Sequence, residues 1–170
     1  FLMADASPSY RFRCRLMVDK DLEAKETVAK NRPKTPFWRA DIHEIHGHEL
    51  RTRAGLSANE ELHVLVGGPP CQGLSYAGKR ALEDERNGLL IDFLRIAEEL
   101  KPQCVLIENV HRLLTAYDGQ FIADLCERLS SMGYWSIADL LTASDFGVPQ
   151  LRKRAFVLAY RADLNVAPRF

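Results

Sequence analysis

One cysteine lies in a setting that suits nucleophilic chemistry. Cys71 follows two glycines and two prolines in VGGPPCQGLS (66–75), which continues the apolar run ELHVLV (61–66). A thiolate is the strongest nucleophile that a side chain offers at neutral pH, and free N–H groups at a turn can stabilise it. The prolines stiffen the turn, and the glycines let a substrate approach the backbone. A cysteine in a turn is more often a buried structural residue, but the Pro-Pro-Cys-Gln context favours a nucleophile.

A lone carboxyl group ends a second apolar run. The stretch QCVLIENV (103–110) carries no other charge than Glu108. A carboxyl at the rim of a buried strand tends to have a raised pKa, which suits it to give a proton as well as take one. The alternative is a structural carboxylate that caps the next helix or pairs with Arg112. Asn109 adds an amide that could hold neighbouring backbone in place.

Two arginines follow near the end of the chain. Arg152 and Arg154 in PQLRKR (149–154) are two positions apart, so they share a face if this segment is extended. The planar guanidinium suits a phosphate or a base carbonyl. A solvated strand edge is the alternative interpretation.

Metal and disulfide chemistry are not expected. The cluster HEIHGHE (43–49) lacks the HExxH spacing of a zinc site, and we interpret it as a polar helix or loop. The four cysteines are far apart and form no CxxC pair. Cys104 and Cys126 lie in apolar runs and are interpreted as small core residues.

Composition places the chain among ordinary globular proteins. Its 170 residues suffice for one domain or a piece of one, with 46% hydrophobic and 27% charged residues. The formal net charge of zero argues against nucleic-acid binding by bulk charge, although local basic clusters remain possible. No run reaches the roughly 18 apolar residues that span a bilayer. We therefore expect a cytoplasmic protein, in the bacterial cytoplasm or nucleoid, without a membrane partner.

Alternating apolar and helix-period stretches predict an α/β fold with a mainly parallel sheet. Strands are predicted at 13–18, 37–42, 61–66 and 103–110, helices at 21–31, 86–102 and 119–133, and a mixed helical stretch at 43–60. The segments 134–143 and 154–160 are predicted to form an antiparallel pair at a sheet edge. Ligands of such sheets bind beyond the carboxyl ends of the strands. The polar residues at those ends are Asp19, Asp41, Cys71 and Glu108.

Together these motifs resemble the cytosine-5 DNA methyltransferase family. GGPPCQGLS is similar to its Pro-Cys motif, IENV to its Glu-Asn-Val motif and QLRKR to its Gln-x-Arg-x-Arg motif, in the family's order and at about its spacing. VDKDLEAKETVAKNRP and ADIHEI resemble its cofactor elements, so that the similarity covers about residues 10–160. The resemblance implies a Rossmann-like S-adenosylmethionine-dependent methyltransferase sheet, mostly parallel with an antiparallel edge pair, incomplete, in a single partial catalytic domain over 1–170.

The resemblance implies covalent chemistry at an extruded cytosine. Cys71 would attack C6 of the flipped base, and Glu108 would protonate or hydrogen-bond N3. C5 would then take the methyl group of S-adenosylmethionine, and loss of the C5 proton would eliminate the cysteine. Arg154 would hold the base carbonyl, and Arg152 the active-site side chains or a phosphate. Three further residues would buttress the site or line the pocket: Gln150, Asn109 and Pro70.

The same resemblance assigns DNA and cofactor contacts. A loop at about 72–87 would close over double-stranded DNA, with contacts from Gln72, Ser75, Lys79 and Arg80. Asp19 would bind the ribose hydroxyls of S-adenosylmethionine, and Asp41 and Ile42 its adenine. Pro69 and Leu89 are also assigned to the cofactor. Lys20 stands where the family places an aromatic residue, which puts adenine stacking on that side in doubt.

Two family elements are not found in the sequence. A Phe-x-Gly-x-Gly loop is absent before Asp19, and only 16 residues follow Arg154, without a target recognition region. We therefore expect an interior piece of a larger methyltransferase or a truncated product. The implied partners are the missing N- and C-terminal portions of the enzyme, which would be a monomer when complete. Robust methyl transfer by this chain alone is not expected.

Three other functions remain open. An RNA or tRNA cytosine-5 methyltransferase would use the same cysteine chemistry. A non-catalytic remnant would bind nucleic acid or a partner domain. A thiol hydrolase is the weakest alternative, because no histidine falls at a motif position to act as its base.

Overall fold

The computed structural model describes residues 12–70 and 87–170. Five residues with predicted roles lie outside this part of the chain: Cys71, Gln72, Ser75, Lys79 and Arg80. The chain divides into two compact units between Ala58 and Asn59. The predicted single domain over 1–170 stays a prediction, and each unit is described by itself.

The first unit contains two short parallel strands and two helices. These are β1 (Met17–Asp19), α1 (Leu22–Asn31), β2 (Phe37–Arg39) and α2 (Gly47–Arg53). β1 pairs with β2 from Met17 opposite Phe37 to Asp19 opposite Arg39. Helix α1 follows the prediction closely, because Asp21 caps its N-terminus by accepting a hydrogen bond from Glu23 N at 2.7 Å. Both strands are shorter than predicted.

Polar contacts organise much of this first unit. Arg15 donates from Nε to Ala54 O at 3.0 Å and from Nη2 to Gly55 O at 2.7 Å, so it closes the carboxyl end of α2. The guanidinium of Arg53 lies 4.0 Å from the ring centroid of Trp38, a cation–π distance. Helix α1 has no buried residue. Among the described residues of this unit, the buried hydrophobic side chains are Ile45 and Leu50.

The second unit is built on a four-stranded mixed sheet with strand order β3-β4-β6-β5. Its elements are β3 (Val64–Gly67), α3 (Gly88–Leu100), β4 (Cys104–Val110), α4 (Arg112–Thr115), α5 (Gln120–Ser131), β5 (Tyr134–Thr142) and β6 (Lys153–Arg161). β3 is parallel to β4, and β6 is antiparallel to both β4 and β5. The predicted antiparallel pair and the α/β class are confirmed. β6 lies between β4 and β5, so only β5 is an edge strand of that pair.

The core of the second unit follows the two periodicities of its sequence. In β4 every second residue is buried, and Val105 and Ile107 are fully inaccessible. In α3 the buried positions recur at helical spacing, with Leu90, Phe93 and Leu94 among them. Each fully buried Leu or Phe stabilises the fold by about 1.5–3 kcal/mol. This burial gives β4 and α3 well-defined positions in the fold.

The prediction that the strand ending at residue 66 is buried is wrong. The three apolar residues of β3 are half-buried or exposed, with Val66 at 38%. β3 is an end strand of the described sheet, so it has a neighbour on one side only. An apolar sequence therefore predicted the strand but not its position in the sheet.

A charged cluster holds the opposite end of this sheet. Arg161 donates to Glu61 Oε1 at 2.6 Å, Asp163 Oδ1 at 2.7 Å and Lys101 O at 3.1 Å. Gln103 Nε2 donates to Glu61 Oε2 at 2.6 Å. Hydrogen bonds from Arg161 lower the pKa of both the Glu61 and the Asp163 carboxyls. Across residues 12–70 and 87–170, no helix combines the length and apolar character needed to cross a membrane.

Candidate active site

Glu108 and Arg154 meet at the edge where β4 ends and β6 begins. The register places Val110 opposite Arg154 and Glu108 opposite Phe156, so Glu108 and Arg154 are diagonal neighbours on one face. Glu108 Oε1 lies 3.1 Å from Arg154 Nε, and both side chains are partly exposed, at 38% and 24%. A carboxylate and a guanidinium, predicted from separate motifs, are therefore paired at a solvent-accessible strand end.

Asn109 connects this edge to the end of β3. Its side chain alternates to the other face of the sheet and is only 6% exposed. Asn109 Nδ2 donates to Pro69 O at 2.8 Å in a buried hydrogen bond, and Asn109 Oδ1 accepts from Val110 N at 2.9 Å. The contact is of the kind expected for an amide that holds neighbouring backbone. Pro69 is buried and Pro70 is exposed, immediately before Cys71 in the chain.

The backbone after β3 passes very close to Glu108. A Cβ added to Gly68 would lie 3.2 Å from Glu108 Oε2 and 3.6 Å from Glu108 O. Such a distance is tighter than ordinary van der Waals contact, so a side chain at position 68 would displace the carboxylate. We had assigned these glycines to substrate approach, and nothing in the sequence pairs Gly68 with Glu108.

Gln150 and Arg152 lie outside the strand that carries Arg154. β6 begins at Lys153, and both residues are exposed in the preceding loop. Ala143 N donates to Arg152 O at 2.9 Å, and Gln150 N donates to Val148 O at 2.7 Å. These backbone bonds fold the loop, so the extended spacing that would align the two arginines is not realised before Lys153.

Two predicted cofactor residues lie at the carboxyl end of the β1–β2 pair. Asp19 is the last residue of β1, and Asp19 Oδ1 accepts from Asp21 N at 2.9 Å. Asp41 caps the 3₁₀ turn Ile42–Glu44, where Asp41 Oδ1 accepts from His43 N at 3.2 Å. That backbone hydrogen bond, helped by Lys20, lowers the pKa of Asp41. Because β1 and β2 are parallel, their carboxyl ends bring the two acids to one edge.

Lys20 joins these two strand ends. Lys20 Nζ lies 3.3 Å from Asp41 Oδ2, and Lys20 O accepts from Arg39 Nε at 3.0 Å. The lysine side chain is 67% exposed, against 30% for Asp41. The residue that departs from the family pattern therefore contacts the carboxylate assigned to adenine.

The remaining sequence predictions fall at separate positions. Leu89 is half-buried in the first turn of α3. In the histidine cluster, the rings of His46 and His48 stack with centroids 6.0 Å apart at the start of α2. Among the described residues, no three Asp, Glu, His or Cys side chains are grouped to hold a metal ion. The free thiol Cys104 is half-buried, and burial raises its pKa to about 11.

The fold defines the class as Rossmann-like methyltransferases. A solved DNA modification methyltransferase encoded within an E. coli prophage matches 91% of this chain at 26% identity, with a TM-score of 0.74. This chain covers 42% of that structure. The S. pombe Dnmt2 methyltransferase matches 90% of the chain with a TM-score of 0.63. At 21% identity the second match shows the fold alone.

The family model for C-5 cytosine-specific DNA methylase matches residues 3–169. The chain belongs to this family. It is 38% identical over 136 residues to the type II methyltransferase M.XorII of Xanthomonas oryzae pv. oryzae, covering 79% of this chain. It is 41% identical over 146 residues to M1.HphI of Haemophilus parahaemolyticus, covering 84%. The chain spans 32% and 38% of the lengths of these two relatives.

Proposed function

We propose that this chain carries the base-reacting part of a DNA (cytosine-5) methyltransferase that uses S-adenosylmethionine. The observation that supports it best is the Glu108–Arg154 pair, 3.1 Å apart at the strand edge. Asn109 binds the carbonyl of Pro69 beside this pair, two residues before Cys71. An acid, a guanidinium and a candidate thiol nucleophile thus belong to one end of the second unit's sheet in space or along the chain.

Cys71 serves as the nucleophile in this proposal. Its thiolate forms a bond to C6 of an extruded cytosine, and Glu108 stabilises the electron density that moves to N3 by a proton or hydrogen bond. S-adenosylmethionine, when bound, supplies the methyl group that C5 accepts. A base then removes the C5 proton, and the Cys71–C6 bond breaks to release the product. The chemistry depends on a fixed distance between thiol and carboxyl.

Arg154 has donors available for the base. A guanidinium carries five N–H donors, and Arg154 uses Nε toward Glu108 and Nη1 toward Lys153 O at 2.8 Å. We assign a remaining donor to the cytosine carbonyl. The ion pair would then orient the acid and the base-binding group together, with Arg152 and Gln150 contributing from the adjacent loop.

The cofactor is assigned to the first unit and to α3. Asp19 and Asp41 offer carboxylate oxygens at one strand edge, which suits ribose hydroxyls and the adenine amino group. Ile42 offers apolar surface next to Asp41, and Leu89 and Pro69 complete the assignment. Lys20 occupies Asp41 Oδ2, so adenine must share or displace that ion pair.

Double-stranded DNA is the proposed substrate, and the proposed partners are further portions of the same enzyme. The fact that the chain spans about a third of M.XorII supports the second part. The assays are therefore run on this chain and on any longer polypeptide in which the sequence occurs.

Covalent trapping tests the proposal. DNA containing 5-fluorocytosine in place of cytosine, incubated with S-adenosylmethionine, should yield an adduct that survives denaturation. Cys71→Ala should abolish the adduct, whereas the matched control Cys14→Ala, at an exposed cysteine, should retain it. An adduct that persists in Cys71→Ala contradicts the assigned nucleophile. Trapping on 5-fluorocytosine RNA but not DNA would favour the RNA methyltransferase, and no adduct together with no cofactor binding by calorimetry would favour the non-catalytic remnant.

A further inference from the structure

We propose that Phe93 is a positioning residue for the turn that leads to Cys71, because its ring occupies the space of a side chain at position 67. The inference rests on the proposed role of Cys71. Phe93 lies in α3, far along the sequence from the Pro-Pro-Cys turn, and no motif points to it. Its role would be indirect, through the backbone of residues 67–69.

The contact between Phe93 and Gly67 leaves no room for a Cβ. A Cβ built on Gly67 would lie 2.7 Å from Phe93 Cδ2 and 3.0 Å from Phe93 Cζ, and closer still to Cε2. The ring is only 5% exposed and is packed in the core with α3 residues such as Leu90 and Leu94. A buried ring in a close-packed core cannot swing away at low cost. The ring and the glycine backbone therefore fit each other as a pair.

Space, and not backbone conformation, explains the two glycines. The glycines with positive φ in the described chain are Gly55, Gly119, Gly133 and Gly147, and neither Gly67 nor Gly68 is among them. An alanine could adopt the backbone angles at 67, but its methyl group would meet the ring. Glycine at this position thus reports a close approach by a neighbouring element.

Three successive residues at the end of β3 are each held by a different side chain. The Phe93 ring packs on Gly67, the Glu108 carboxylate lies against Gly68, and Asn109 binds the carbonyl of Pro69. Two prolines with fixed φ then precede Cys71. A shift of the backbone at 67 would pass along this stiff segment, and misplacement of a reacting group by about 1 Å can cost about 10²-fold in rate.

Alkylation of Cys71 tests the coupling without DNA or cofactor. The rate of reaction with iodoacetamide is measured against pH by peptide mass spectrometry in the wild type and in Gly67→Ala, Phe93→Leu and the double variant. Exposed Cys14 is the internal reference, and half-buried Cys104 reports unfolding, because its pKa is raised to about 11. Phe121→Leu, at a fully buried ring in α5, is the matched control for core loss.

We expect Gly67→Ala to change the Cys71 rate relative to Cys14 by about fivefold or more, with a shifted pH profile. In the double variant the smaller leucine makes room for the methyl group, so the ratio should return to that of Phe93→Leu alone. Phe93→Leu should alter the ratio, whereas Phe121→Leu should not.

Additive effects in the double variant, or equal effects of Phe93→Leu and Phe121→Leu, would overturn the positioning role. If Gly67→Ala speeds alkylation of Cys104, and has therefore lost its fold, the comparison of Phe93→Leu with Phe121→Leu decides alone. Coupling in alkylation together with normal trapping in Cys71→Ala would reject the proposed function and leave the coupling standing.

Discussion

The two units hold their candidate site residues by different means. In the second unit, Glu108 and Arg154 lie on strands of seven and nine residues whose alternate side chains form the core. In the first unit, Asp19 and Asp41 follow strands of three residues each, and their oxygens accept hydrogen bonds from turn N–H groups. The first arrangement depends on buried apolar surface, and the second on local polar contacts.

This difference indicates how each unit should respond to change. Core burial fixes a strand end over its whole length, so a lost contact there leaves a cavity or an unpaired buried group. Caps and exposed ion pairs contribute little each and can rearrange. The assigned base chemistry therefore sits on the part of the chain with the more rigid support, and the assigned cofactor contacts on the more adaptable part.

The largest effect is expected for Glu108→Gln. Loss of the proton-donating carboxyl should lower methyl transfer or adduct formation by about 10²–10⁴-fold, because a positioned acid contributes about that much. Affinity for S-adenosylmethionine, measured by calorimetry, should be nearly unchanged. Glu98→Gln removes a surface ion-pair partner of Arg128 and is the matched control. An equal loss of affinity and rate would assign Glu108 a structural role.

Two asparagines make the same hydrogen bond in the two units, one buried and one exposed. Asn109 Nδ2 donates to Pro69 O and Asn31 Nδ2 to Thr27 O, both at 2.8 Å. Asn109→Ala should lower the free energy of unfolding by about 1–3 kcal/mol, because it leaves a buried carbonyl unpaired. Asn31→Ala should cost about 0.5 kcal/mol or less. Urea denaturation measures both, and equal losses would remove the distinction between the units.

Acid should weaken the second unit through its charged cluster. Arg161 lowers the pKa of Glu61 and Asp163 in the folded state, below their ordinary values of 4.5 and 3.8. The folded chain therefore holds fewer protons than the unfolded chain near these values, so this stabilisation is present above about pH 4.5 and is lost as the pH falls through the lowered values.

Arg161→Gln tests that cluster by thermal unfolding between pH 3 and 7. The variant should lose stability at pH 7 and show a shallower fall toward acid than the wild type. Arg128→Gln, which breaks the surface pair with Glu98, should leave the slope unchanged. A wild-type slope in Arg161→Gln would show that other carboxyls govern acid unfolding.

The smallest effect is expected at Lys20. Lys20→Phe restores an aromatic side chain after Asp19 and frees Asp41 Oδ2, so affinity for S-adenosylmethionine should rise several-fold, since aromatic stacking contributes about 0.5–1.5 kcal/mol. Stability should change little, because the exposed pair is worth about 0–1 kcal/mol. Lys34→Phe, at an exposed loop position, is the control. Weaker binding in Lys20→Phe would show that the lysine itself contacts the cofactor.

Most elements of the fold could be predicted, because their signals are local. The capping Asp21 and the helical spacing from Leu90 to Leu100 predicted α1 and α3, and the apolar run before Glu108 predicted β4. The exposure of Val66 could not be predicted, since an apolar run is the same in a central strand and in an end strand. The ends of β1 and β2 were placed too widely, because short strands end where a side-chain cap takes over.

By itself, the sequence determined the α/β class, the family and the residue types for chemistry, through spacing and short motifs along the chain. Only the tertiary structure decided which of them meet. The β4–β6 register pairs Glu108 with Arg154, and parallel strand ends bring Lys20 to Asp41. Helix packing puts the Phe93 ring on Gly67. These contacts join positions 21 to 46 residues apart or on neighbouring strands, and such distances depend on packing and register, which the chain acquires only when it folds.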